Sequence, residues 1–385
     1  MTLKQRATDN FESVETDLRK LSRWLYEHPE LQYQEYESSA KLAAFLGRHG
    51  FEVTHPSHGL DTAFEANAGD TGPRVVICCE YDALPEIGHA CGHNIIASAA
   101  VGAGIALAPL ANDLGIRVTV LGTPAEEGAG GKVDLIEAGA FEDAAASMMI
   151  HPAPHDLVDP SFQARTTFTV EYRGKESHAA FAPHLGVNAL DAFVQAYINV
   201  ATLRQQTLPT DRVHCIIDRG GDANNIIPSY TKSTWGIRSA DGDRLQELIP
   251  KVRACLEAAA HATGCDIAID QTGHSYVNMI SDPIVANLFR ANSSALGRPM
   301  PSEQEVGALG GSSDIGNVSH VVPSIHPMIS IESNGAANHQ KEFAAATLTK
   351  SGEKALRDGA LAMAHTIVDM AERDVWDRLG SSGTE

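Results

Sequence analysis

The stretch Cys78–Asn94, CCEYDALPEIGHACGHN, gathers acids, histidines and a thiol at the exit of one short apolar run. Its centre is Cys91-Gly92-His93, a soft thiolate and an imidazole, both suited to zinc or a similar first-row ion. The glycine between them lets the backbone turn tightly. A spacing of two does not place both side chains on one helix face, so a loop or strand end is expected. The small-residue run from Ile95 to Pro109 then reads as a helix starting there, whose N-terminus would favour the thiolate of Cys91. Taken alone, the pair is better read as a buried structural cysteine beside a satisfied histidine.

The elements around it decide what else converges. Residues 8–50 show apolar spacings of three and four (Phe11, Val14, Leu18, Leu21, Leu25), a break at His28-Pro29, and a second helix to Gly50. Short strands are expected at Phe51–Thr54 and Ala63–Ala66, and buried ones at Arg74–Cys79, Ile116–Leu121 and Ala144–Ile150. Helices at 94–111 and about 131–139 lie between them, a pattern of a mostly parallel sheet with helices on both faces. Glu80 and Asp82, Glu126 and Glu127, and His151 each fall at the carboxyl end of an expected strand, where open α/β sheets place their ligands.

From Ser161 the pattern changes to alternation, followed by helix 186–206, strands 212–219 and 230–239, helix 241–263 and strand 265–271. That βαββαβ order is ferredoxin-like. Further helix 284–296, strand Met328–Glu332, helix 342–373 and a frayed tail 376–385 close the chain. The expected fold is therefore α/β: a doubly wound catalytic domain, 1–162 and 276–385, interrupted by a small inserted α+β domain, 163–275.

Cys91, His93, Glu127, His151 and His339 offer one thiolate, three imidazoles and one carboxylate, too many for one tetrahedral structural zinc and suited to a pair of ions with open positions. Glu126 and Glu127 are adjacent. In an extended segment neighbouring side chains point opposite ways, so one can ligate while the other faces a metal-activated water as general base.

The segments EYDALPEIGHACGHN, GTPAEEG, MMIHP, SHAA…GVNALDA, NIIP, GSSDIGNVS and NHQKEFAAA resemble, in order and across nearly the whole chain, the motif series of the dinuclear-metal amidohydrolase and carboxypeptidase family. That family includes aminoacylases, p-aminobenzoyl-glutamate hydrolases and indole-acetyl-amino-acid hydrolases, and the Ala-Cys-Gly-His-Asn element is similar to its cysteine-containing branch. The resemblance implies two divalent ions per subunit, zinc or manganese with cobalt or nickel as other options, held by Cys91, His93, Glu127, His151 and His339. It further implies Glu126 as catalytic base and Asp82 orienting a ligand. It makes the middle domain a dimerisation or lid domain whose His178 reaches the partner's site to stabilise the oxyanion. Asn225, Arg238, Gly310 and Ser312 match positions that face substrate; an arginine fork suits a carboxylate. His326 either lines the pocket or packs. Gln340-Lys341 and His184 depart from the family pattern.

The implied activity is hydrolysis of the amide bond of an N-acyl or N-aroyl amino acid, or of a dipeptide, with a free carboxylate. The alternative is an inactive protein that keeps the fold to bind a metal or peptide-like ligand, which would have no need of a base. A net charge of −20, from 49 acidic and 29 basic residues, argues against nucleic acid or an anionic membrane as partner, and no basic cluster grips phosphate. Six cysteines without framework spacing point to a reducing compartment. With no apolar leader and no stretch approaching the length of a membrane span, a cytoplasmic protein is expected.

Overall fold

A computed structural model describes residues 1–306 and 311–380, and the chain divides into two compact units, Met1–Ser161 with Met279–Glu385, and Phe162–Asn278. The first unit opens with helices α1 (Leu3–Glu27) and α2 (Tyr36–Arg48), separated where Pro29 ends the first period. Its six-stranded sheet runs β1 (Glu52–Thr54), β2 (Phe64–Ala68), β4 (Arg117–Gly122), β3 (Arg74–Cys79), β5 (Ala144–Met148), β11 (Ser324–Ile325). The pairs β4–β3, β3–β5 and β5–β11 are parallel, whereas β1–β2 and β2–β4 are antiparallel. Every residue of β3 is buried, as its unbroken apolar run requires. The MMIHP segment does not continue as one strand: β6 (His151–Ala153) leaves the main sheet and pairs in parallel with β12 (Met328–Ser330).

Between the strands lie α3 (His93–Leu107), α4 (Ala111–Leu114) and α5 (Gly131–Glu137), and after the second unit come α8 (Pro283–Ala295), α9 (Glu303–Val306) and α10 (Ile315–Ser319). The stretch His93–Leu114 is long and apolar enough to cross a membrane, contrary to the expectation from sequence. Here it is a core helix: α3 is buried on all sides, against α1 and α12 (Lys350–Glu372) among others. The expected helix 342–373 is two, α11 (Lys341–Ala346) and α12. They part at Thr347-Leu348-Thr349, where the Thr349 hydroxyl turns back to accept from Gly352 N and caps the second helix. The segment 376–380 is not frayed: Trp376 and Leu379 pack on the core and Gly380 N donates to Asp282 Oδ2 at 2.9 Å.

The second unit contains β7 (Ala164–Arg173), α6 (Ala189–Leu203), β8 (Arg212–Arg219), β9 (Tyr230–Ser239), α7 (Gly242–Thr263) and β10 (Asp266–Gln271). Its sheet is antiparallel throughout in the order β10-β7-β9-β8, the ferredoxin-like arrangement. The alternating burial of β7 and β9 turns Tyr172 and Trp235 inward, into one core with the buried sides of α6 and α7.

Candidate metal centre

Cys91 and His93 leave the loop after β3 and start α3. Gly92 between them has φ of 84°, the left-handed conformation that glycine adopts freely. Nδ1 of His93 lies 2.8 Å from the Asp82 carbonyl oxygen and 3.0 Å from Asp82 Oδ1. Both are acceptors only, so Nδ1 carries a ring proton and Nε2 is the nitrogen that offers a lone pair to a metal once the ring is neutral. Nδ1 of His151 sits 2.7 Å from the Pro152 carbonyl, which fixes the same tautomer. Cys91 Sγ is 3.4 Å from Nε2 of both His151 and His339, and His339 Nε2 is 3.5 Å from Glu127 Oε1.

Two donor triads therefore share one thiol: Cys91, His93 and His151, and Cys91, Glu127 and His339, each with its ligand atoms within 4.8 Å of one another. Buried His93 Nε2 and Glu127 Oε1 have no hydrogen-bond partner. Orphaned acceptors converging on a thiol fit divalent cations, and the sulfur, nitrogen and oxygen mixture suits zinc, manganese, cobalt or nickel.

The acids do not behave as expected of an extended segment. Residues 126–129 form a turn entered through Ala125 with φ of 60°, and both Glu126 Oε2 and Glu127 Oε1 come within 3.9 Å of His93 Nε2. Strand alternation thus does not separate their directions; the turn brings both to one imidazole. Glu80 also reaches the site, with Oε2 3.5 Å from His93 Nε2, and forms a third potential ligand group with His93 and Glu126. Its other oxygen is 2.5 Å from Lys132 Nζ, which lies 2.6 Å from Asp314 Oδ1. All three side chains of this ion triad are fully buried. Lys132 and Asp314 were invisible as partners in sequence; the one signal was a lysine directly after the GAGG turn.

Electrostatics follow from this crowding of acids. Burial, reinforced by the Glu126 charge, raises the Glu127 carboxyl to about 8. Burial and Glu80 push Glu126 upward as well. Burial disfavours the charged His93 ring, yet Asp82 beside it holds its pKa well above the ordinary value. His151 is lowered to about 3 by burial and by the nearby His93 charge, leaving a neutral ligand-ready ring. The Cys91 thiol is pushed up by burial and by Glu127, so in the metal-free protein these outweigh the expected effect of the α3 N-terminus. His326 is buried with its ring centroid 5.3 Å from that of His151, and it packs behind that residue.

The remaining expected residues are not members of these donor groups. His178 and Asn225 are neighbours in the second unit: Ala179 N donates to Asn225 O at 2.9 Å, and His178 bridges to Ile226. The His178 Nδ1 accepts from Ala180 N and Phe181 N at 3.2 and 3.1 Å, so its proton sits on Nε2. Arg238 is eight residues beyond Tyr230 on β9, roughly 26 Å along an extended strand, and the structure does not bring it to His178. Ser312 precedes α10, and Gly310 lies outside the described residues. Gln340 closes the His339 loop through Oε1, which accepts from Ala337 N.

Residues 77–369 match peptidase family M20/M25/M40. The chain is 42% identical to an Xaa-Arg dipeptidase from Mus musculus over 96% of its own length and 89% of that protein's, and 39% identical to the Xaa-Arg dipeptidase from Homo sapiens, over 96% and 88%. It is 30% identical, over 66% of its length and 57% of the relative's, to a p-aminobenzoyl-glutamate hydrolase polypeptide from Escherichia coli. The fold matches a dinuclear metal binding peptidase of the M20 family from Bacillus subtilis with a TM-score of 0.72 at 21% identity, covering 94% of this chain and 99% of that one. The protein belongs to peptidase family M20/M25/M40 and is a hydrolase of peptide or amide bonds.

Proposed function

We propose that the protein is a metal-dependent dipeptidase acting on dipeptides with a free carboxylate, with a basic C-terminal residue preferred and N-acyl amino acids as lesser substrates. The observation that carries the reading is the pair of donor triads sharing Cys91 with two carboxylates against His93. The two Xaa-Arg dipeptidases, similar across 96% of the chain, support the substrate class. Cys91, His93, Glu127, His151 and His339 would hold two divalent ions. When bound, such ions polarise a substrate carbonyl and lower the pKa of a water to about 7.

Glu126 takes the proton of the attacking water and returns it to the leaving amine. Its raised pKa suits that exchange. Asp82 fixes the His93 tautomer. His178, with its proton on Nε2, offers a donor for the oxyanion of a partner subunit's substrate, Asn225 adds a polar group beside it, and Arg238 and Ser312 contact the substrate. A homodimer is supported by β8, an edge strand that exposes Ile216 and Ile217, and by exposed Val194, Tyr197 and Ile198 on α6. Six free cysteines support a cytoplasmic location.

The test is a panel of Xaa-Arg and Xaa-Lys dipeptides, neutral dipeptides, N-acetyl amino acids and p-aminobenzoyl-glutamate, each assayed with added zinc, manganese or cobalt. Fastest turnover on basic dipeptides is expected. Cleavage confined to N-acyl or aroyl substrates would refute the dipeptide assignment.

A further inference from the structure

The loop between α1 and α2 lies before residues 77–369 and plays no part in the chemistry described so far. It is nevertheless fastened to the loops that carry it. Ala83 N donates to Glu30 O at 2.8 Å, and Leu31 pairs with Ala83 as an isolated bridge. The Tyr33 hydroxyl donates to Asp134 in the first turn of α5. Glu35, with no exposed surface, accepts from Ala125 N through Oε1 at 2.9 Å.

Burying a carboxylate is unfavourable unless its oxygens are used, and of the two Glu35 oxygens Oε1 is used while Oε2 has no hydrogen-bond partner. The use here is specific. Ala125 holds φ of 60°, a conformation in which the Cβ of an L-residue crowds the following carbonyl. It stands immediately before Glu126 and Glu127. Inside the turn that follows, Asp82 Oδ2 accepts from Glu127 N at 2.9 Å, and Gly130 N donates to Ala125 O at 2.9 Å. Two buried carboxylates therefore grip the backbone on either side of Glu126. Removing the grip on Ala125 N lets that residue relax toward negative φ and rotates both glutamates away from His93.

We propose that Glu35 is a positioning residue for hydrolysis: it holds Ala125 in the left-handed conformation and so aims Glu126 and Glu127 into the metal centre. The proposal rests on the reading of Glu126 as base and Glu127 as ligand. It also explains why a helix-capping position carries a glutamate whose side chain makes no cap to its own helix α2.

The experiment compares Glu35→Leu, Glu35→Gln, Glu35→Asp and the double variant Glu35→Leu with Ala125→Gly, all as metal-loaded enzyme. Leucine supplies no acceptor, and kcat should fall ~10- to 100-fold, the effect of a misaimed reacting group, with KM changed by less than about threefold. Chelator competition should show one of the two ions bound about tenfold more weakly, as for loss of an outer support. Glutamine keeps an acceptor oxygen and should recover most of the loss. Glycine at 125 has no bias against positive φ and should recover part of it in the double variant. If the leucine variant does not fold, Glu35→Asp decides, since its shortened acid should lower kcat at constant KM.

Wild-type kcat in the leucine variant, or in the aspartate variant where leucine does not fold, overturns the proposal. So does a loss in kcat, KM and metal content together that Ala125→Gly leaves unrelieved, which marks a merely structural acid. Glu126→Gln run in parallel separates the two levels. An inactive glutamine variant beside a fully active leucine variant removes only Glu35, whereas turnover by Glu126→Gln removes the base and this proposal with it.

Discussion

Gly92→Ala places one methyl group among three of the expected ligands. Gly92 lies between Cys91 and His93, and a Cβ there would meet Pro152 Cγ at 2.8 Å and Pro152 Cβ at 2.9 Å, next to His151. The backbone φ of 84° is unfavourable for alanine by about 1–2 kcal/mol. Forcing the proline aside adds about 1–3 kcal/mol, the range for an overpacked core. The sum, roughly 2–5 kcal/mol, should be read by chemical denaturation of the chelator-treated protein. Displacing Pro152 also moves His151 relative to Cys91, so metal content after dialysis, measured by elemental analysis, should fall below two ions per chain. Gly115→Ala is the control: its φ is 62° but no atom lies within 4 Å of the added Cβ, so only the backbone penalty should appear. A Gly92→Ala protein as stable as wild type and fully metallated would refute the reasoning.

Asp82→Ala removes the carboxylate beside His93 Nδ1 and the Glu127 N acceptor, while the Asp82 backbone carbonyl remains 2.8 Å from Nδ1; metal affinity by chelator competition should fall about tenfold, and unchanged affinity would deny the Asp82 side chain its orienting role. Metal binding should strengthen with pH: Glu127, at about 8 in the metal-free protein, is protonated below that pH and must release its proton to ligate. The Cys91 thiol and the His93 ring, both held above their ordinary values, must release protons too. Titration calorimetry in buffers of different ionisation enthalpy between pH 6 and 8 should therefore detect proton release that drops in Glu127→Gln, with affinity rising by up to about tenfold per pH unit for each proton; equal release in wild type and Glu127→Gln would contradict the Glu127 assignment. His178→Ala should lower kcat by ~10²- to 10³-fold with metal content and oligomeric mass unchanged, and full activity would remove His178 from the reaction.

The strands that carry the site were legible because buried parallel strands write themselves as short apolar runs: Arg74–Cys79 is the same segment in sequence and structure. The strands 212–219 and 230–239 likewise follow from alternation and turn residues. Cys91, His93, Glu127, His151 and His339 stood at the ends of such runs, and the structure gathers them. The directions of Glu126 and Glu127 were not legible, because alternation presumes extended backbone and the turn depends on a left-handed alanine held by a residue ninety positions away. The Glu80–Lys132–Asp314 triad was hidden for the same reason: its members lie on three separate segments, and an ion pair leaves no periodic trace. Apolar length alone could not separate the buried core helix at His93–Leu114 from a membrane span.

The most direct test of Glu126 as the proton-transferring base, within a site that the other residues assemble, is Glu126→Gln assayed on an Xaa-Arg dipeptide alongside its metal stoichiometry. Two ions per chain with kcat lowered by at least ~10²-fold is the expected result. Near-normal turnover at full metal content would contradict it.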